Sequence, residues 1–143
     1  MKKIFCLLLI LCLLPSCAFA LDLDEFNIFA AVVGAEELNI ANGKTSGNYT
    51  GFVQGDCYIY FSEEGGKLTD IFVEGNGDDF LAYCCAAMHV FDPNGNTTNN
   101  HGQFLTMYFL AHLETEHQTG QTSNGLFFFL EPSEKGYMFM IGE

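Results

Sequence analysis

Two pairs of aromatic and β-branched segments, each joined by a short turn, constrain this chain more than any other feature. Residues 57–61 and 68–74 are separated by a loop that contains Gly65-Gly66, and residues 126–130 and 137–141 form the second pair. Segments of this composition are typical of strands, and a short loop between two strands makes them antiparallel. The sequence therefore predicts two β-hairpins in an antiparallel sheet.

A helix is predicted over residues 23–39, before the first hairpin. Acidic residues at its start suit the positive end of the helix dipole. Its apolar residues recur at i, i+3 and i+7, as expected for one face of a helix: Phe26, Phe29 and Val33. The segment 42–48 is rich in Gly and Asn and predicts a linker. A short strand is expected at residues 49–53.

Helical signals also lie between the two hairpins. An apolar stripe predicts a helix over 78–91, and Asp92-Pro93 ends it because the residue before proline disfavours helical geometry. The Asn-rich segment 94–102 predicts a polar, mobile loop, and residues 120–125 predict another loop. Residues 104–113 are apolar nearly all round and fit a buried helix or a strand, with their length and polar ending favouring a helix.

These elements predict one α+β domain over residues 21–143. Its architecture is a two-layer sandwich, in which an antiparallel sheet of two hairpins packs against two or three helices. A chain of this length is typical of a single domain.

The first twenty residues predict export. Lys2 and Lys3 precede an apolar run from Ile4 to Leu14, and residues 18–20 fit the small-x-small site of signal peptidase. The run is shorter than the roughly 20 apolar residues needed to cross a bilayer. We expect cleavage after Ala20 and a secreted, periplasmic or cell-envelope protein that is not integral to the membrane.

Lipidation is the alternative to cleavage after Ala20. Residues 14–17 resemble a bacterial lipobox in which Cys17 would be acylated. Pro15 fits that motif poorly, because a small residue is usual at its position. The two outcomes differ in whether the protein diffuses away or remains anchored to the envelope.

The charge of the exported part restricts its partners. All 18 acidic residues lie after residue 20, where Lys44, Lys67 and Lys135 are the basic residues and Arg is absent, leaving a net charge of −15. Nucleic acids and anionic membranes need Lys or Arg to neutralise phosphates, so both are excluded as partners. Cationic partners remain: a basic protein, a cationic peptide or a metal ion. Solubility alone would also account for the charge.

Three cysteines lie outside the predicted signal. An exported chain can form disulfides, and Cys57 is the natural partner of Cys84 or Cys85, because a bridge between the two neighbours would be strained. Three buried free thiols are the alternative, since cysteine is among the most buried residue types.

His112, Glu116 and His117 form the cluster that best suits metal binding. On a helix, His112 and Glu116 share a face, and His117 joins them if the helix ends nearby. The spacing is not that of HExxH zinc proteases. A solvated helix end with histidines near its negative pole is the alternative.

Other signals for catalysis are weak. Cys85 and His89 are four residues apart, but a reactive thiolate needs an electropositive setting and both neighbouring cysteines fall on the apolar stripe, which favours core packing. No serine-hydrolase elbow, phosphate loop or dinucleotide fingerprint is present in the sequence.

The sequence thus predicts a small exported, acidic, non-enzymatic binding protein without a cofactor, with a protein or peptide, most simply a basic one, as its partner. An inhibitor-like role toward a basic enzyme is a narrower form of this hypothesis. The alternatives are a metal-binding envelope protein that uses His112, Glu116 and His117, and a small hydrolase with a carboxylate pair.

Overall fold

The computed structural model describes residues 22–114 and 117–142. The predicted signal segment, Cys17 and Glu116 lie outside these residues. Helix α1 covers residues 22–32 and is followed by a 3-10 turn at Ile40–Asn42. The other helices are α2, Gly77–Phe91, and α3, Thr97–Glu114. The strands are β1 Lys44–Ser46, β2 Tyr49–Gln54, β3 Cys57–Glu64, β4 Lys67–Gly75, β5 Gln118–Gln121, β6 Phe127–Ser133 and β7 Gly136–Gly142.

All the strands belong to one antiparallel sheet, in the order β1-β2-β3-β4-β7-β6-β5. The two predicted hairpins are β3–β4 and β6–β7. They join in the middle of the sheet, where β4 pairs with β7 and Val73 lies opposite Phe139. The prediction of an α+β fold with an antiparallel sheet packed against helices is confirmed.

The sheet is wider than two hairpins, because β1 and β5 lie at its edges. The sequence predicted a linker over 42–48 and a loop over 120–125, so both edge strands were missed. Their residues are polar, and those of β1 are all exposed, so the strands show no apolar alternation. Backbone pairing with β2 and β6 orders them instead, and that pairing leaves no trace in side-chain periodicity.

Helix α1 ends earlier than predicted. Gly34, at φ +95°, follows its last turn in the left-handed conformation that glycine adopts without strain. Backbone bonds from Gly34 N–H to Ala31 O and from Ala35 N–H to Ala30 O close a Schellman motif. The helical prediction over 33–39 was therefore wrong, and Ala35 and Leu38 pack on the core from a segment without regular secondary structure.

Helix α3 begins inside the segment that was predicted to be a mobile loop. The Asn96 side chain accepts a hydrogen bond of 3.0 Å from the Asn99 N–H and caps the helix. The loop prediction was wrong over 97–102, whereas the preference for a helix over 104–113 is confirmed. Asparagine disfavours helix interiors, so tertiary contacts of this first turn offset its low propensity.

The core lies between the helices and one face of the sheet. Alternate strand residues point into it, as Ile59, Val73 and Phe139 do in adjacent positions on neighbouring strands. Helix α2 contributes Phe80, Cys84 and Met88 from its apolar stripe. Aromatic rings make many of the contacts; Phe104 of α3, for example, meets Phe139 edge to face at 5.3 Å between centroids.

Within the described residues, none of the helices combines the length and the apolar character that crossing a bilayer requires.

Candidate binding surface

The sheet face opposite the helices is apolar and aromatic where solvent would usually select polar residues. We call it the open face. Its large side chains are Tyr49, Val53, Tyr58, Tyr60, Phe72, Phe127, Phe129, Met138 and Met140, with the acidic residues Asp70, Glu74 and Glu131 between them. Successive side chains of a strand point to opposite faces of the sheet. These residues alternate along their strands with buried core residues, so they lie on the open face.

Strand register arranges these side chains in rows across the sheet. One row runs from Tyr60 through Phe72 and Met140 to Phe129. The next row alternates apolar and acidic residues, in the order Tyr58, Glu74, Met138 and Glu131. Paired residues on neighbouring strands lie about 5 Å apart, so an apolar band and a band of spaced carboxylates run side by side.

Solvent reaches this face, most freely at its ends. Val53 is 62% exposed and Phe127 56% exposed, and residues of the central strands, such as Phe72 and Met140, are partly exposed. A cavity of about 380 Å³ opens beside Phe127, Phe129 and Met140. Contiguous apolar surface of this kind marks an interaction site more often than scattered single residues do.

A cation of the same chain lies against the open face at one end. The Lys135 ammonium, in the turn between β6 and β7, is 3.0 Å from the centroid of the Tyr58 ring. This is a cation–π contact, in which the negative face of the ring attracts the ammonium. Asp56, Asn76 and Gly55 line a cavity of about 380 Å³ beside that pair.

His117 occupies the opposite end of the open face. Its Nδ1 lies 3.6 Å from a carboxylate oxygen of Glu131, and its ring centroid is 5.6 Å from that of Phe129. Together with Met138 and Met140 these residues line a cavity of about 280 Å³. The open face thus presents an aromatic ring to a lysine at one end and a carboxylate to a histidine at the other.

The predicted metal ligands have different surroundings. His112, near the end of α3, donates a 3.0 Å hydrogen bond from Nδ1–H to the Tyr108 carbonyl, and its ring packs on Tyr137. His117 belongs to the open face, and Glu116 is outside the described residues. Among residues 22–114 and 117–142, no three His, Cys, Asp or Glu side chains are grouped to hold a metal. The His112, Glu116 and His117 site remains a prediction.

The three cysteines are free and buried in the structure. Burial raises the pKa of Cys57 to about 11, with Asp79 and Asp56 adding to the effect, and burial raises that of Cys85 to about 12. Such thiols are poor nucleophiles near neutral pH. The core position expected for Cys84 and Cys85 is confirmed. A bridge from Cys57 to Cys84 or Cys85 remains a prediction for the oxidised protein.

His89 does not activate Cys85 through any contact that the structure shows. Its ring stacks on Phe29 of α1 at 4.2 Å between centroids, and its Nε2 lies 3.8 Å from Glu25 Oε1. The histidine therefore helps to join α1 to α2. Beside it, burial lowers the pKa of His101, and the proximity of His89 lowers it further.

A cavity of about 920 Å³ lies between α3 and β5. Neutral polar side chains line most of it, among them Asn99, Gln103 and Thr106. The described residues that line it include no titratable group to move a proton and no aromatic ring to stack on a ligand. Its open, neutral lining gives no chemistry on which to assign a ligand.

One pair of carboxylates comes closest to the hydrolase alternative. Burial raises the pKa of Glu63, and the nearby Asp22 raises it further. Glu63 Oε1 is buried and has no hydrogen-bond partner among the described residues. Neither Glu63 nor Asp22 lines any of these four cavities. The hydrolase with a carboxylate pair remains a prediction.

The sequence did not single out the open face, although it contained the signal. Phe127, Phe128 and Phe129 are consecutive in a strand, so at least one of them must point away from the core side. The same holds for Tyr58 and Tyr60, which alternate with buried residues. The sequence does not reveal that β4 pairs with β7. This pairing brings the aromatic residues of the two hairpins onto one surface.

Comparisons with protein-family models, with curated proteins and with solved structures found no match for this chain.

Proposed function

We propose that this protein is an exported, acidic, non-enzymatic interaction protein that binds a basic and partly apolar segment of another protein or peptide on its open face. The observation that supports this most is the pair of adjacent rows on that face, one aromatic and apolar and the other carrying Glu74 and Glu131. A segment with alternating lysine and apolar side chains would match both rows.

The contact between Lys135 and Tyr58 supports the cationic half of this proposal. It shows that an ammonium group fits against a ring of this face, at 3.0 Å from the centroid. Cation–π contacts contribute about 0.5–2 kcal/mol each, depending on desolvation. Phe72, Phe129 and Tyr60 offer further rings with neighbouring carboxylates.

Net charge supports the same partner. With a net charge of −15 after residue 20, the protein repels acidic surfaces and attracts basic ones over about a Debye length. Long-range attraction raises the association rate, and the apolar row then supplies contacts that slow dissociation. Association should therefore slow strongly as salt is added, while dissociation changes little.

A titration with designed peptides tests the proposal. The probe is a 14-residue peptide of alternating Lys and Leu, and its control has Glu in place of Lys. We expect the Lys peptide alone to bind, and in heteronuclear NMR spectra we expect the shifted amides to lie on β3, β4, β6 and β7. Binding of both peptides, or shifts confined to the helices, would contradict the proposal.

Two double variants separate the open face from overall charge. Glu74→Gln with Glu131→Gln removes two carboxylates from the open face, and Asp24→Asn with Glu37→Gln removes two exposed ones elsewhere. Each double variant removes two negative charges. We expect the first pair to weaken binding of the Lys peptide at least tenfold and the second less than threefold. Equal effects would mean that the peptide senses net charge alone.

Export is proposed on the strength of the N-terminal segment, and mass spectrometry of the protein from an expressing host tests it. Cleavage after Ala20 gives Leu21 as the first residue. An acylated Cys17 as the first residue would instead establish envelope anchoring, and an intact N-terminus in the cytoplasm would contradict export.

A further inference from the structure

We propose that a second copy of this chain binds the outer face of α3, so that the protein forms a weak antiparallel dimer through Leu105, Phe109 and Leu113. This surface, which we call the α3 stripe, is separate from the open face. The proposal does not depend on the function proposed above.

The α3 stripe is a continuous apolar line on an otherwise polar helix surface. Leu105, Phe109 and Leu113 are spaced at i, i+4 and i+8, which places them one above another on one side of a helix. They are 47%, 64% and 66% exposed. They are not needed for the core, because the opposite side of α3 supplies Phe104, Met107 and Ala111 to it.

The lack of charge along the α3 stripe favours a second copy as its occupant. No Asp, Glu, Lys or Arg lies between Thr97 and Leu113, although the chain is strongly acidic. A basic partner would find no carboxylate between Thr97 and Leu113, and an anionic membrane would meet an acidic protein around the stripe. Two neutral apolar stripes can pack together without bringing like charges into contact.

The spacing of the α3 stripe also suits two-fold symmetry. Phe109 lies midway between Leu105 and Leu113, four residues from each. When two such helices pack antiparallel about a two-fold axis at Phe109, Leu105 of one copy faces Leu113 of the other. Each residue then meets an apolar residue, as an isologous interface requires.

The area available makes this a weak dimer. Leu105 to Leu113 spans about 12 Å of helix at 1.5 Å per residue. Three large side chains from each copy bury less than the roughly 1,200 Å² that is usual for a stable complex. We expect a dissociation constant on the order of 10–100 µM.

Sedimentation of the purified protein across that concentration range tests self-association. We expect a reversible shift from monomer to dimer, which Phe109→Ser abolishes. The matched control is Phe127→Ser, which removes an equally large and similarly exposed ring from the open face. A monomer at about 500 µM, or loss of the dimer in Phe127→Ser but not in Phe109→Ser, would overturn the proposal. Circular dichroism verifies that both variants remain folded.

Engineered cysteines test the antiparallel register. Leu105→Cys and Leu113→Cys proteins, mixed and oxidised, should cross-link to each other faster than either links to itself. The native cysteines do not interfere because they are buried. Preferential linkage of Leu105→Cys to its own copy would indicate parallel packing and would contradict the two-fold model.

Salt distinguishes the two proposals. Screening reduces the repulsion between two acidic copies, so the dimer should tighten as NaCl rises from about 50 to 500 mM. Binding of the Lys peptide to the open face should weaken over the same range. If the dimer fails to form, binding of the Lys peptide to the open face is unaffected, and the reverse also holds. The reason is that Phe109→Ser and the Glu74, Glu131 variant alter different surfaces.

Discussion

At the scale of single residues, the Asp92 side chain connects segments that are distant in sequence. It is 4% exposed, and its carboxylate accepts hydrogen bonds from Asn100, Ser123 and Asn124. Burial by itself would raise the pKa of Asp92, but the hydrogen bonds from Asn100, Asn124 and Thr122 outweigh that effect and lower it. The ionised carboxylate therefore ties the end of α2 to α3 and to the loop before β6.

Replacing Asp92 by asparagine should destabilise the protein by about 1–3 kcal/mol near neutral pH, because buried donors lose a charged acceptor. The folded-state pKa is lowered from 3.8, so the carboxylate contributes stability above that value and loses it as the pH falls through the folded pKa. Urea unfolding at several pH values measures this difference.

The difference between wild type and Asp92→Asn should shrink as the pH falls below about 4. A constant difference at all pH values would show that shape, and not charge, decides the effect. Asp70→Asn is a suitable control, because Asp70 is a partly exposed acid of the open face.

The buried thiols supply a second test at this scale. Because burial raises the pKa of each cysteine, native protein at pH 8 should leave Cys57, Cys84 and Cys85 unlabelled by iodoacetamide. After denaturation without reductant, mass spectrometry should find all three labelled. Labelling of Cys84 alone or of Cys85 alone would instead establish a bridge from Cys57 to the other one, and rapid labelling of native Cys85 would contradict its burial.

At the scale of elements, the sequence predicted best those segments whose side chains show a period. The two hairpins and α2 have aromatic or apolar residues at the right spacing, and they form where expected. The edges β1 and β5 and the first turn of α3 are polar, so their structure depends on partners far away in sequence. Asn100 illustrates this, because it binds Asp92 and Ser123 rather than solvent.

Gly120 fixes how closely α3 approaches β5. A Cβ at this position would overlap Met107 Sδ and the Phe128 ring. Gly120→Ala should therefore destabilise the protein by about 1–3 kcal/mol through overpacking. Thermal or urea unfolding measures the change.

Gly102 of α3 is the matched control, because a Cβ there would meet nothing within 4 Å. Alanine is the better helix former, so Gly102→Ala should stabilise the protein by about 0.5–1 kcal/mol. The same substitution thus has opposite signs at the two glycines. Destabilisation of similar size at both positions would contradict this account of the helix–sheet contact.

At the scale of the whole molecule, the acidic charge opposes folding while it favours a basic partner. Self-repulsion is strongest at low salt, where the Debye length is about 30 Å at 10 mM, and weak at 1 M, where it is about 3 Å. Raising NaCl between these limits near neutral pH should raise the melting temperature by several degrees. The increase should be smaller near pH 4.5, where carboxylates begin to be protonated and the net charge is lower. An equal increase at both pH values would assign the effect to preferential hydration.

The candidate surface also depends on this scale. Each hairpin by itself predicts a pair of strands with one apolar face toward the core and some aromatic residues on the other face. Only the pairing of β4 with β7 aligns Phe72 with Met140 and places Glu74 between Tyr58 and Met138. The metal prediction concerned neighbours in sequence, and the structure gives His112 and His117 different partners.

By itself the sequence determined the hairpins, the helix α2, the α+β class and the acidic charge, because period, turn residues and composition act locally. Tertiary structure alone decided the width of the sheet, the end of α1 at Gly34, the start of α3 and the contents of the open face. These depend on backbone hydrogen bonds and buried polar contacts between residues distant in sequence. Such partners have no period along the chain, so they become visible only when the strands and helices are assembled.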